Sequence, residues 1–136
     1  MAADFGKPFW GASEMNMAPD FEGTFYVLPS DGRRTPVRSG YRPQHLIHEN
    51  YQSSGDHTYP DQEWVNLGET ARVHVRLISP ACYPNSLWEG RVLQVLEGQK
   101  LVGLITITCI FNEVLRVSPE AYKPIWVEPA GLQEKP

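Results

Sequence analysis

The stretch "TARVHVRLI", residues 70–78, decides the fold. Ala71, Val73, Val75 and Leu77 alternate with Arg72, His74 and Arg76, the period of two expected of a strand with one buried and one wet face. "NLGE" turns into this strand and Pro80 ends it. Working outward, "FEGTFYVL" (residues 21–28) alternates as well: Phe21, Phe25 and Val27 share a face with Gly23, and the following "PSDG" is built from turn-forming residues. "RVLQVLEGQKLVGLITITCIF" (residues 91–111) reads as a hairpin. Leu93 and Val95 face inward, Gly98 relaxes the turn, and Ile105, Ile107, Cys109 and Phe111 are expected to line the inner face of the second strand, opposite Thr106 and Thr108.

Twelve prolines and eleven glycines punctuate the 136 residues at short intervals, which leaves no room for a long amphipathic helix. The expectation is all-β: an antiparallel β-barrel of six strands over residues 20–116, preceded by an irregular segment at 1–19 and followed by a Pro-rich tail at 117–136. Apolar residues at 41% and charged residues at 21% suit a single packed core. Twelve basic against sixteen acidic side chains give a net charge of −4, which argues against a surface that coats nucleic acid and leaves room for a local basic patch. No apolar run is long enough to span a bilayer and the first residues do not read as a signal sequence, so the expected location is cytoplasmic. Cys82 and Cys109 are too few for a disulfide framework and read as reduced thiols, Cys109 as a core residue.

The basic patch is sought in "RRTPVRSGYRPQHLI" (residues 33–47), where four arginines fall within ten positions around Gly40 and Pro43. A turn that presents guanidinium groups can pair two-pronged with phosphate oxygens, and an A-form stem is read largely through its backbone and 2′-hydroxyls. Arg38 and Arg42 read instead as solubilising residues, with the stem of Arg42 packed over an aromatic ring.

"FYVLPSDGRRTPVRSGYRPQ", then "LGETARVHVRLISPACY", then "LQVLEGQKLVG" resembles, in that order and over roughly residues 20–112, the C-terminal, third domain of bacterial elongation factor Tu. The most specific piece is "GYRPQ" with the Arg-x-Thr-Pro turn before it. The resemblance implies a six-stranded antiparallel barrel that contacts the T stem of aminoacyl-tRNA, a nucleotide-exchange factor and a GTPase domain. Carried over by position, it implies that Arg33 and Arg34 lie near a tRNA backbone, that Gln44 closes the motif, and that Glu97 is the hairpin carboxylate approaching the T stem. These four are the candidate binding residues.

The departures are equally plain. "HLIHENYQSSGDHTYPDQEW" (residues 45–64) lacks the family's loop threonines, and no phosphate-cradling Gly-x-x-x-x-Gly-Lys-Ser/Thr loop is present, so no GTP binding is expected. His45, His48 and His57 with Glu49, Asp56 and Asp61 invite a metal site, but positions 45 and 48 of a strand face opposite sides unless the chain bends there, and a solvated loop is expected. Ser39, Ser53 and Ser54 lie near these histidines without a nucleophile turn. The reading is therefore non-catalytic, with no cofactor and no metal. Trp10, Trp64, Trp88 and Trp126, with Tyr51, Tyr59, Tyr83 and Tyr122, read as core or barrel plugs, any exposed ones as a partner surface. Two functions follow: a stand-alone barrel that docks a protein partner such as a translation factor or toxin-like protein, or a module that binds tRNA or another structured RNA through the Arg33/Arg34 turn.

Overall fold

The computed structural model describes residues 18–29 and 35–124. Six strands close into an antiparallel barrel: β1 (Phe21–Val27), β3 (Gln44–His48), β4 (Tyr51–Thr58), β6 (Thr70–Leu77), β7 (Val92–Glu97) and β8 (Lys100–Ile110). Their order around the barrel is β1-β6-β4-β3-β7-β8, and β8 pairs back with β1. The six-stranded barrel expected from the alternating pattern is thus what the chain forms. A separate ribbon joins β2 (Val37–Arg38) to β5 (Trp64–Val65). Helical structure among the described residues is limited to single 3₁₀ turns at Pro80–Cys82, Glu113–Leu115 and Pro119–Ala121, and no helix there is long and apolar enough to cross a membrane.

The inward faces of β1 and β6 are the predicted ones. Phe21, Phe25, Val27, Val73 and Val75 are completely buried, and Ala71 and Leu77 nearly so. Each large apolar side chain removed from water contributes on the order of 1.5–3 kcal/mol, which makes this face the main source of cohesion. The sheet also brings backbones into close contact. A Cβ placed on Gly55 would lie 2.9 Å from the His45 ring and 3.1 Å from Val75, so the wall at β4 closes only because that residue has no side chain.

Two bulges revise the sequence expectations. The β1–β8 register shifts between Glu22 and Gly23, pairing Glu22 with Cys109 and Gly23 with Ile107. Thr108 is the extra residue, and in a structure of period two a single insertion exchanges the faces beyond it. Ile110 is therefore the buried residue, while Cys109 is only half-buried and Phe111 stands exposed with its edge toward the His74 ring. The second shift lies in β3, between Leu46 and His48. Residues 44–48 and 51–58 are strands, not a solvated loop, and His45, His48 and His57 are all buried.

The barrel has two dissimilar ends. At one, which we call the loop end, lie the start of β3, the β7–β8 turn, the β2–β5 ribbon and the described residues on either side of 30–34. Gly40 serves the bend there with φ of +101°, a conformation costly for residues bearing a Cβ. At the other, the floor, Asp20 accepts from the Leu77 amide at 2.7 Å and from the Asn112 side chain at 2.9 Å, pinning the start of β1 between its neighbours. Residues 112–122 run beneath this end, with Val117 donating its amide to the Leu87 carbonyl and Leu115 fully buried.

Candidate functional site

At the loop end the structure brings together two of the four candidate residues. Gln44 pairs across the sheet with Leu96, the neighbour of Glu97. The Tyr41 hydroxyl donates to the Glu97 carboxylate at 2.6 Å. The GYRPQ run thus meets the hairpin carboxylate through Tyr41. Arg33 and Arg34 lie outside the described residues, as do Trp10 and Trp126. The Arg42 Nε donates to Asp56 at 2.5 Å, and Asp56 also receives Arg76. Arg38 lies over an aromatic ring at this end, 5.0 Å from the centroid of Trp64 on the β2–β5 ribbon. Trp64 remains 44% exposed. Beside it an open cavity of about 440 Å³ is walled by Arg38 and Ser39 on one side and by residues 59–63 on the other.

Below this surface lies a chain of polar groups that sequence reasoning missed. The His45 Nδ1 meets the Ser53 carbonyl at 2.9 Å, the His45 and His57 Nε2 atoms are 2.9 Å apart, and the His57 Nδ1 is 2.7 Å from the Tyr59 hydroxyl. Burial pushes the His45 pKa down to about 4 against the opposing pull of the Ser53 carbonyl. Burial, reinforced by charge on His45, holds His57 well below the usual histidine value. Both rings are therefore neutral at pH 7, and a carbonyl can only accept, so one proton arrangement satisfies every contact. Tyr59 O–H donates to His57 Nδ1, His57 Nε2–H to His45 Nε2, and His45 Nδ1–H to Ser53. The rings of Phe25 and Tyr41 stand nearly perpendicular to that of His57, with centroids 5.0 and 5.5 Å away, joining this chain to the residue that holds Glu97.

The alternation in β4 that could have revealed this is disguised. Its inward positions are Ser53, Gly55 and His57, continued by Tyr59 beyond the strand, so the buried face lacks aliphatic side chains. The bulge overrides the strand period and sends both His45 and His48 indoors, toward different ends of the barrel. His45 joins His57, whereas His48 stacks near Tyr122 at the floor with its Nδ1 2.7 Å from that hydroxyl.

The floor holds a different arrangement. Arg91 donates to the Ser86 and Ile47 carbonyls, each at 2.5 Å, and its guanidinium lies 5.2 Å from the Trp88 ring and 5.0 Å from the Tyr122 ring. The ladder between β3 and β7 ends at His45, and Arg91 supplies the donor that Ile47 lacks from a neighbouring strand. Burial lowers the Arg91 pKa, with Tyr122 opposing; a guanidinium nevertheless stays cationic at neutral pH.

The outer wall is electrostatically closed on itself. Arg72 forms a two-pronged bond to Asp61, both contacts 3.0 Å, and reaches Glu22 at 3.3 Å; His74 Nε2 is 3.0 Å from the same Glu22 carboxylate. The chain matches no protein-family model. The chain forms a closed six-stranded antiparallel barrel with a fastened floor and a loop end that combines an exposed aromatic, a cation and a cavity.

Proposed function

We propose that this protein is a non-catalytic barrel that docks a protein partner through its loop end. The observation that carries this reading is the exposed Trp64 with Arg38 stacked on it, outside the barrel wall and beside the cavity. Tryptophan and arginine are the side chains most enriched where a few residues dominate binding energy. The net charge of −4 favours a protein over a polyanion. The resemblance to the third domain of elongation factor Tu makes a translation factor, or a toxin-like protein that engages one, the partner to seek, with Gln44 and Glu97 flanking the contact.

The test is affinity capture from extract of the source cells with the native chain and a Trp64→Ala variant as parallel baits. A translation factor or toxin-like protein retained by the native chain and lost with the variant is the expected result. Retention of neither kind of protein contradicts the proposal.

One observation favours a second reading, in which tRNA or a structured RNA is held by Arg33 and Arg34. Gln44 and Glu97 stand at the end of the barrel that also carries Pro29 and Thr35, the described residues bounding the arginine turn. Such binding weakens with added salt in proportion to the phosphates contacted, and replacing both arginines by alanine lowers that slope by about two. No binding at low salt removes this reading.

A further inference from the structure

Six arginines are among the described residues. Five have engaged guanidinium groups: Arg42 and Arg76 on Asp56, Arg72 on Asp61 and Glu22, Arg116 on Glu89 and Glu113, and Arg91 on two backbone carbonyls. The guanidinium of Arg38 donates to no described residue. Its Cζ lies over the Trp64 ring, 5.0 Å from the centroid, and Arg38 also lines the cavity, which leaves its N–H groups available there. A stacked guanidinium is pre-oriented, so less freedom is lost when it receives a planar anion two-pronged.

The opposite wall decides which anion fits. Asp61 has both carboxylate oxygens on Arg72, whose hydrogen bonds hold its pKa below the usual range. Glu63 is exposed and lines the same opening. One uncompensated cation beside an acidic lip suits a single carboxylate and repels a string of phosphates. The wall itself is held in place, since the Tyr59 amide donates to the Ser39 Oγ at 2.9 Å. A cavity of about 440 Å³ accommodates a short side-chain cluster.

We propose that this cavity receives one isolated Asp or Glu of a partner peptide, its carboxylate bound edge-on by Arg38 and the adjacent residue, aromatic or proline, covering Trp64 and Pro60. This rests on the reading that the loop end docks a protein.

The experiment is selection from a random-peptide display library against the full chain, followed by affinity measurement on synthetic copies of the enriched peptides. The baits are the native chain, Arg38→Gln and Trp64→Ala. Arg38 is exposed and its guanidinium makes no hydrogen bond to a described residue, so Arg38→Gln is expected to leave the urea midpoint unchanged. Enriched peptides are expected to share one Asp or Glu beside an aromatic residue or proline. Changing that acid to its amide, or Arg38 to Gln, is expected to weaken binding about tenfold or more. Peptides lacking a shared carboxylate, or indifferent to Arg38→Gln while lost with Trp64→Ala, overturn the carboxylate assignment and leave docking at the ribbon standing. Peptides unaffected by Trp64→Ala, or no enrichment at all, overturn both. A hairpin RNA that binds the native chain and is lost with Arg38→Gln assigns the site to phosphate and also overturns the proposal.

Discussion

The two ends of the barrel each bury groups able to carry positive charge, and they treat it in opposite ways. Beneath the loop end, His45 and His57 are fully enclosed, give up their protons and become members of a neutral hydrogen-bonded chain. At the floor, Arg91 cannot give up its charge and is instead met by two carbonyl oxygens and two aromatic faces. Desolvating an ion is costly unless polar partners replace its water, and an imidazole has an alternative that a guanidinium lacks. The consequence is a division of labour. The floor is fastened by a permanent cation beneath a covering segment, whereas the loop end keeps a neutral interior and carries Arg38, which pairs with no described carboxylate, on the outside.

The largest expected effect breaks the floor. Arg91→Ala removes two charge-assisted hydrogen bonds and two cation–aromatic contacts, and leaves the Ile47 carbonyl without its guanidinium donor. A loss of about 3–5 kcal/mol in urea unfolding is expected. Hydrogen exchange should show faster opening at Val117, whose amide holds the covering segment to Leu87, than at Val75 in the barrel wall. Equal acceleration at both would mean that Arg91 supports the barrel as a whole.

The next effect is specific to the loop end. The folded pKa of His45, about 4, lies below the unfolded value of 6.5, so protons bind the unfolded chain first. The stability linked to its neutral state is whole above pH 6.5 and drains as pH falls toward 4. At about 1.4 kcal/mol per pH unit, His45 alone accounts for roughly 3 kcal/mol across that window, and His57 steepens the fall. Urea midpoints measured between pH 7 and pH 4 should decline throughout the window. A flat profile there would show that the histidines take up protons equally in the folded and the unfolded chain.

How much of this could be read beforehand follows from which side chains face inward. β1 and β6 were legible because Phe21, Phe25, Val73 and Val75 alternate with polar neighbours. β4 was not, since Ser53, Gly55 and His57 look like loop residues although they occupy the same structural role. The end of β8 misled for another reason. Nothing in "TITCIF" marks Thr108 as the inserted residue, and the faces of Cys109 and Phe111 depend on it. Of the candidate site, the sequence named Gln44 and Glu97 separately, and only the fold joins the GYRPQ run to Glu97 through the Tyr41 hydroxyl. The Arg38–Trp64 pair joins two residues of a two-stranded ribbon too short to show periodicity, so only the fold could place them together.

The smallest effect sharpens the comparison at a single atom. Tyr59→Phe deletes the donor to His57 Nδ1 and leaves that buried nitrogen without its hydroxyl partner, at an expected cost of about 1–2 kcal/mol in urea unfolding. The same change should alter the pH dependence between 6.5 and 4, whereas Tyr122→Phe at the floor should leave that window in place.

The contrast between a neutral interior at the loop end and a retained cation at the floor is tested most directly by nitrogen-15 NMR of the histidine side chains at pH 7. The arrangement derived from the hydrogen bonds predicts His45 protonated on Nδ1 alone and His57 on Nε2 alone, with both rings uncharged. A doubly protonated ring at either position, or the reverse tautomers, would contradict it.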